Sequence, residues 1–213
     1  MLSLARRLDL LQWAAEARAW VIEDDYDSEF RHVGRPLAPL QSIDRAGQVI
    51  YVGTFNKALF PGLRLGYVVL PRQLADPFSR ALDISAGPVP SMPQAVLSTF
   101  LREGHFASHL RRSGERYRQR REAFLEAFQT EFGDELALGP SETGLHLCVY
   151  LPDAMSDTDV SARAAEAGLH VPPLSARYLG QHKRNGLILR YGAVDVGTIR
   201  ESIPRLARVI GLA

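Results

Sequence analysis

The stretch VIYVGTFNKALFPGLRLGYVVL, Val49 to Leu70, constrains the fold more than any other part of the chain. Gln48 to Val52 reads as a strand that runs into Gly53, and Leu65 to Leu70 reads as a second strand after Arg64. Near-continuous apolar runs of this kind suit strands covered on both faces, as in a parallel sheet packed between helices. A single lysine, Lys57, stands in the turn between them. An amine set between two strands that read as buried calls for a chemical reason.

The surrounding sequence supplies the rest of the frame. Ser3 to Ala19 has helical spacing, with Leu4, Leu8, Leu11 and Ala15 along one face. AWVIEDD switches to a short apolar strand that ends in acid, and Arg31 to Gly47 reads as a loop with at most one helical turn. Pro71 to Ser85 reads as a helix, and Ser91 is expected to cap another that Gly104 closes. His105 to Glu131 forms a long arginine-rich helix interrupted only by Gly114. Beyond it the style changes. A strand at Leu145 to Leu151, a capped helix in SDTDVSARAAEAG, a strand in GLILRYG and a closing amphipathic helix describe a small α+β unit. No repeat recurs at a period of about 20–50 residues. The expected fold is α/β in two lobes.

The charge balance narrows the partners. A net charge of +1 on 213 residues gives no electrostatic case for nucleic acid or a membrane surface as the main partner. The longest apolar runs fall well short of the ~20 residues a membrane span needs. One cysteine, Cys148, excludes an internal disulfide framework and suits a reducing compartment, so a cytoplasmic location is expected.

Around Lys57 the residue types form a set with a specific chemical use. VIEDDYDSEF puts Asp24, Asp25 and Tyr26 at the C-terminal end of a strand, where open α/β sheets bind ligands. Thr54 stands three residues before Lys57 and Arg64 seven after it. A lysine amine forms a Schiff base with an aldehyde cofactor. A carboxylate facing a pyridine nitrogen keeps it protonated, which makes the ring an electron sink. A phenol can hydrogen-bond the ring oxygen, while a hydroxyl and a guanidinium fork suit a phosphate.

With those residues in view, IEDDYDSEFRH followed by PL, LQSID and VIYVGTFNKALFPGLRLGYVVLP strongly resembles the pyridoxal-phosphate domain of MocR-type proteins. These carry a fold-type I, class I/II aminotransferase-like domain, usually fused behind a GntR-type winged helix. The resemblance runs over nearly the whole chain, with Val21 to Pro71 as its specific core. It implies that Lys57 is the Schiff-base lysine, Asp24 the acid at the pyridine nitrogen and Tyr26 the phenol at the ring oxygen. Thr54 and Arg64 match the phosphate-binding positions. Arg190 and Arg177 both match positions used for a substrate carboxylate, and the sequence does not choose between them. Asn56 stands where the family commonly has serine.

The resemblance further implies pyridoxal 5'-phosphate as cofactor, an amino-acid or amine ligand, no metal and a homodimer. Residues 1–104 would be the C-terminal part of the cofactor-binding large domain, with a mostly parallel sheet. Residues 105–213 would be the interdomain helix and the small C-terminal domain. Family members carry more of the cofactor domain, and the winged helix, ahead of the position of Met1. The chain is therefore expected to be the C-terminal portion of such a protein, with an incomplete large domain and no direct DNA contact of its own. Catalysis as an aminotransferase, sensing of an effector without turnover, and a truncated inactive fragment all remain open at this point.

Other conspicuous residues take plainer readings. Asp25, Asp27 and Glu29 are expected to be solvated or capping acids, because a calcium-type loop would need a glycine at its sharp turn. His105 and His109 lie four apart but lack a third metal ligand. Arg111 to Arg121 is interspersed with Glu115 and reads as a solvated helix face. Cys148 alternates with Leu147 and Val149 and is expected in the core.

Overall fold

The computed structural model describes residues 2–26, 28–32, 34, 38–85, 87, 89–141, 143–180 and 183–211. Two compact units emerge: Met1–Glu29 with Arg35–Ser108, and Phe30–Gly34 with His109–Ala213.

The first unit is built on a three-stranded sheet of β1 (Val21–Asp25), β2 (Val49–Thr54) and β3 (Gly66–Val69). β1 and β2 run parallel, with Val21 opposite Val49 and Asp25 opposite Gly53. β2 and β3 are antiparallel, with Thr54 opposite Gly66. The chain between β2 and β3 is too short for the crossover that parallel neighbours require, whereas the long β1–β2 connection permits one. That connection is organised by acids. The Glu23 carboxylate accepts from the backbone N–H groups of Leu40 and Gln41, 2.7 and 2.9 Å away, and so caps the one-turn helix α2 (Leu40–Ile43). Asp44 accepts from four successive backbone N–H groups, Ala46 to Val49, and turns the chain into β2.

Four helices complete this part: α1 (Leu4–Ala17), α3 (Arg72–Ser85), α4 (Ser91–Arg102) and the first turn of α5 (His105–Phe132). Ser3 caps α1 through its side chain. Ser91 is the first residue of α4 rather than its cap, which is Pro90, and makes no capping bond. Core residues here are few, among them Ala14, Leu40, Val49, Ala58, Leu65 and Leu97. The expected apolar face of α1 stays open, with Leu4 62% and Leu8 52% exposed. β3, expected to be buried, is exposed at all four residues. An apolar run marks a strand able to be buried, and β3 lies at the edge of the sheet.

The second unit closes its core. An antiparallel sheet of β4 (Ala137–Leu138), β5 (His146–Tyr150) and β6 (Gly186–Arg190) turns Leu147, Val149, Leu187 and Leu189 inward. They meet Phe124, Phe128 and Phe132 of α5, Val160 and Ala164 of α6 (Asp157–Glu166), and Ile199, Ile203 and Ile210 of α7 (Val196–Ile210). Each apolar side chain buried in this way contributes roughly 1.5–3 kcal/mol. Gly114 does not interrupt α5. Ser156 caps α6, Asp195 caps α7, and Gly211 ends α7 with φ +89°.

The short segment Phe30–Gly34 is stitched into this second unit. Phe30 packs edge-on against Tyr117 with ring centroids 4.7 Å apart, and its carbonyl accepts from Gly144 N. The Gly144 carbonyl lies 2.6 Å from Tyr191 Oη and 2.8 Å from His32 Nε2, and those two atoms are 2.9 Å apart. A carbonyl can only accept, so a hydrogen bond at 2.8 Å requires His32 Nε2 to carry a proton. Tyr191 is 1% exposed, and the junction satisfies its hydroxyl.

Candidate functional site

The first unit brings five of the expected site residues to one end of its sheet. Asp24 is exposed on β1, level with Val52, and Tyr26 is exposed just beyond the strand. Thr54 closes β2. Lys57 and Arg64 both lie in the connection from β2 to β3, whose ends are paired at Thr54 and Gly66. That connection is tightly folded. Phe55 N donates to Leu65 O at 3.1 Å and Leu59 N to Phe55 O at 2.8 Å, while Thr54 Oγ1 accepts from Asn56 N at 3.2 Å. A 3₁₀ turn at Pro61–Leu63 leads into Arg64, whose φ of +54° is one of only two positive values on non-glycine residues among those described. Holding a side-chain-bearing residue there costs on the order of 1 kcal/mol, and such strain concentrates at functional turns.

Lys57 is exposed, contrary to the expectation of a buried amine. It stands in the turn after β2 and outside the ladder, so the apolar character of the flanking strands does not extend to it. Beside it, the Asn56 side-chain oxygen is buried and has no hydrogen-bond partner among the described residues. A buried amide oxygen without a donor costs about 1–3 kcal/mol. A polar ligand at this turn would relieve it.

Close packing fixes the strand beneath the site. A Cβ on Gly53 would lie 2.4 Å from the Tyr67 ring, so glycine is required for Tyr67 to cross β2 there. Tyr67 in turn lies 6.0 Å from the Tyr51 ring. Tyr51 Oη donates to Asp25 Oδ2 at 2.7 Å, and Asp25 also accepts from Ser28 N and Ser28 Oγ. Burial first, then the hydrogen bond to Asp25, pushes the Tyr51 phenol well above its ordinary value. The phenol therefore stays protonated and remains a donor to Asp25. Asp25 thus acts as a capping acid that fixes the chain between Asp24 and Tyr26 on one side and Ser28 on the other; Asp27 lies outside the described residues.

The two arginines expected at a substrate carboxylate belong to the second unit. Arg177 is exposed in a 3₁₀ turn, Ser175–Arg177, and Arg190 is the exposed last residue of β6. The turn that carries Arg177 is anchored by Asp157, a carboxylate only 3% exposed. Asp157 Oδ2 accepts from Ser175 N at 2.8 Å and Gly186 N at 3.1 Å, and Oδ1 from Ser175 Oγ at 2.6 Å. Burial alone would raise its pKa; the hydrogen bonds from Ser175 and Gly186 outweigh that and hold it below the usual carboxylate range.

Sequence reasoning missed His32, Tyr51, Asp157 and Tyr191, because each acts through a partner distant in sequence. Cys148 is half-buried on the face opposite Leu147 and Val149, rather than in the core, since strand alternation turns it away; burial raises its thiol pKa. His105 pairs with Glu103, and His109 contacts Ser113. Arg118 sits between Glu115 and Glu122, Arg120 donates to Gly192 O, and Arg121 binds Ser141. Among the described residues no three His, Cys, Asp or Glu side chains cluster as metal ligands would.

Comparison with known proteins bears on this arrangement. Residues 1–188 match the family model of aminotransferases of class I and II. The chain is 40% identical over 208 residues to the probable rhizopine catabolism regulatory protein MocR of Rhizobium meliloti, covering 97% of this chain and 42% of that one. It is 30% identical over 210 residues to aromatic-amino-acid aminotransferase 1 of Thermococcus litoralis, covering 96% and 49%. The crystal structure of the multiple substrate aminotransferase from Thermococcus profundus superposes with a TM-score of 0.90 at 31% identity, over 99% of this chain and 52% of that one. The chain thus spans about half the length of the relatives it matches. With its α/β fold shared and the family model matched over most of its length, this chain belongs to the class I and II aminotransferase family.

Proposed function

We propose that this chain carries the lysine-bearing part of a pyridoxal-phosphate-dependent protein that acts on an amino acid or amine. The observation that carries the reading is the convergence of Asp24, Tyr26, Thr54, Lys57 and Arg64 at one sheet end, in a chain of this family. The residue types fit the group: an exposed amine, an exposed carboxylate, a phenol, a hydroxyl and a guanidinium, with an unsatisfied amide at Asn56 beside the amine. In this reading residues 1–104 belong to the cofactor domain and residues 105–213 to the connecting helix and small domain.

Bound pyridoxal phosphate supplies an electron sink for the charge left when a bond at the substrate's α-carbon breaks. The chain's residues hold and steer it. Lys57 Nζ would be the point of covalent attachment and would serve as the base for the proton at the α-carbon. The Asp24 carboxylate would keep a proton on the ring nitrogen, and Tyr26 Oη would donate to the ring oxygen. Thr54 Oγ1 and the Arg64 guanidinium would hold the phosphate, and Arg64 follows the 3₁₀ turn with a left-handed backbone. Arg190 or Arg177 takes the substrate carboxylate.

Similarity to the Rhizobium meliloti regulatory protein supports a second reading, in which ligand exchange at Lys57 reports an effector without turnover. A homodimer in the cytoplasm fits both readings. Among the described residues no helix is long and apolar enough to cross a membrane.

The sequence has two lysines, Lys57 and Lys183, which makes the test clean. The chain is incubated with pyridoxal phosphate, reduced with borohydride, digested and analysed by mass spectrometry. An adduct on Lys57 that Lys57→Ala removes is the expected result. An adduct confined to Lys183 would overturn the assignment. Turnover of amino and keto acids then separates catalysis from sensing.

A further inference from the structure

The core of the second unit does not fill its own interior. Between α7, the end of β6 and residues 168–171 it leaves a cavity of about 250 Å³. Phe124, Leu189, Tyr191, Ile199, Ile203 and Leu206 form its walls, and each is at most 5% exposed. Protein interiors pack to the density of organic crystals and leave few voids larger than a water molecule. A cavity that stays empty forfeits stability in proportion to its volume. An apolar void of about 150 Å³ already takes up benzene. The space beside α7 exceeds that, so it has room for a molecule larger than a single ring.

The residues expected at the cofactor and at a substrate carboxylate point elsewhere. Asp24, Tyr26, Thr54, Lys57 and Arg64 belong to the first unit. Leu189 and Tyr191 turn into the core on either side of Arg190, so alternation sends the exposed Arg190 side chain to the other face of the sheet. The mouth of the cavity is made by Gly168, His170 and Thr198, all exposed. Gly168 has φ +74° and no side chain to cover the opening. Three side-chain hydroxyls line the space, those of Tyr191, Thr198 and Ser202. Tyr191 Oη donates to Gly144 O at 2.6 Å, and Thr198 Oγ1 donates to Asp195 Oδ2 at 2.8 Å. Ser202 is half-buried one turn of α7 further on, and its hydroxyl bonds no described residue. Among the described residues no carboxylate lines the cavity.

We infer that this cavity is a second binding site, for a small uncharged bicyclic aromatic molecule with one hydrogen-bonding group that Ser202 receives. Walls of Phe, Leu and Ile return nothing to an ionised group that has left water, so the ligand is neutral. Phe124 and Tyr191, with ring centroids 6.2 Å apart and planes tilted by 42°, give an aromatic ligand neighbours of its own kind. A serine hydroxyl both donates and accepts, so Ser202 can orient a ring N–H or O–H. An apolar pocket with one or a few placed polar groups is the usual build of a small-molecule site. The cavity lies wholly in the second unit and Lys57 in the first, so this site does not depend on the cofactor reading. A ligand that binds only the folded unit also stabilises it, which gives occupancy a measurable readout.

The test is titration of the 213-residue chain with indole, and with its hydrocarbon isostere indene, followed by methyl ¹H–¹³C spectra. Pyridoxal phosphate is omitted, so failure of attachment at Lys57 and failure of this site are separate results. Both probes are expected to shift the Ile199 and Ile203 methyl resonances and to raise the urea midpoint. Ser202→Ala should weaken indole about fivefold, the equivalent of one hydrogen bond, and leave indene within about twofold of the parent. Ser202→Thr, which keeps the hydroxyl, should hold indole within about twofold of the parent. Val171→Phe, on the cavity lining, should abolish binding of both probes without lowering the urea midpoint, because the larger ring enters space that is already there. The proposal is overturned if indole at its solubility limit leaves both isoleucines unmoved, or if Ser202→Ala weakens indole and indene alike. It is equally overturned if Val171→Phe still binds indole, or if that variant loses stability, which would mean that the walls leave no room for a ring.

Discussion

Replacing Asp157 is expected to destabilise the second unit more than replacing any of the exposed site residues. The Asp157→Ala variant loses three hydrogen bonds to a carboxylate that is 3% exposed, and it strands the backbone N–H groups of Ser175 and Gly186. Each stranded donor costs about 1–3 kcal/mol, so a loss of roughly 3–4 kcal/mol follows after partial rescue by water. With a urea slope of about 2 kcal/mol/M, the midpoint should fall by about 1.5–2 M. Asp157→Asn keeps the shape but turns an amide N–H toward a donor, and should cost about 2–3 kcal/mol. The folded carboxyl pKa is lowered, so its stabilisation is complete above the unfolded value near ~4 and fades as pH falls through the folded value. The difference between parent and Asp157→Ala should therefore hold steady from about pH 7 to pH 5 and shrink below about pH 4. Urea unfolding followed by far-UV circular dichroism across that range is the assay. A loss under about 1 kcal/mol at pH 7, or a difference that grows on acidification, would refute the reasoning.

Three further outcomes follow from the first unit. Asp24→Asn should retain covalent cofactor attachment yet slow exchange of the substrate α-proton by on the order of a hundredfold; deuterium exchange at the parent's rate would show that Asp24 does not face the ring nitrogen. Gly53→Ala should cost about 1–2 kcal/mol by displacing the Tyr67 ring, and that cost should vanish in a Tyr67→Ala background; equal penalties in both backgrounds would remove Tyr67 as the cause. Because Ile84 is 88% exposed, Met92 78% and Ile22 68%, the chain in isolation should associate, and light scattering should report a mass above that of one chain; a monodisperse monomer at every concentration would contradict this.

Legibility in the sequence followed the range of the interactions. α6 and α7 were readable because Ser156, Asp195 and Gly211 cap them within a few residues of the positions they satisfy. The grouping of Asp24, Tyr26, Thr54, Lys57 and Arg64 was readable because strand ends and turn spacing are local. Burial was not. β3 and the Leu4–Leu8 face of α1 have the composition of covered surfaces, but composition does not say what element covers them. Cys148 was misread because alternation places every second residue on the opposite face, and the apolar neighbours on either side concealed the parity. Glu23 and Asp157 were not singled out, because the backbone N–H groups they accept from lie 17–29 residues away.

The junction of His32, Gly144 and Tyr191 has a consequence for how the chain reaches its native state. Its two side chains are 159 residues apart, so bringing them together costs about 4 kcal/mol in loop-closure entropy if nothing else has formed. Structure formed anywhere between them shortens the effective loop and lowers that cost. Phe30 and His32 emerge from the ribosome well before Tyr117, Gly144 and Tyr191, which they contact. A polypeptide cut at the start of the second unit's continuous stretch, at His109, would lose the first turn of α5, the edge-on partner of Tyr117 and the histidine beside Tyr191. The boundary between the units is therefore not a point on the chain, and no single cut separates them.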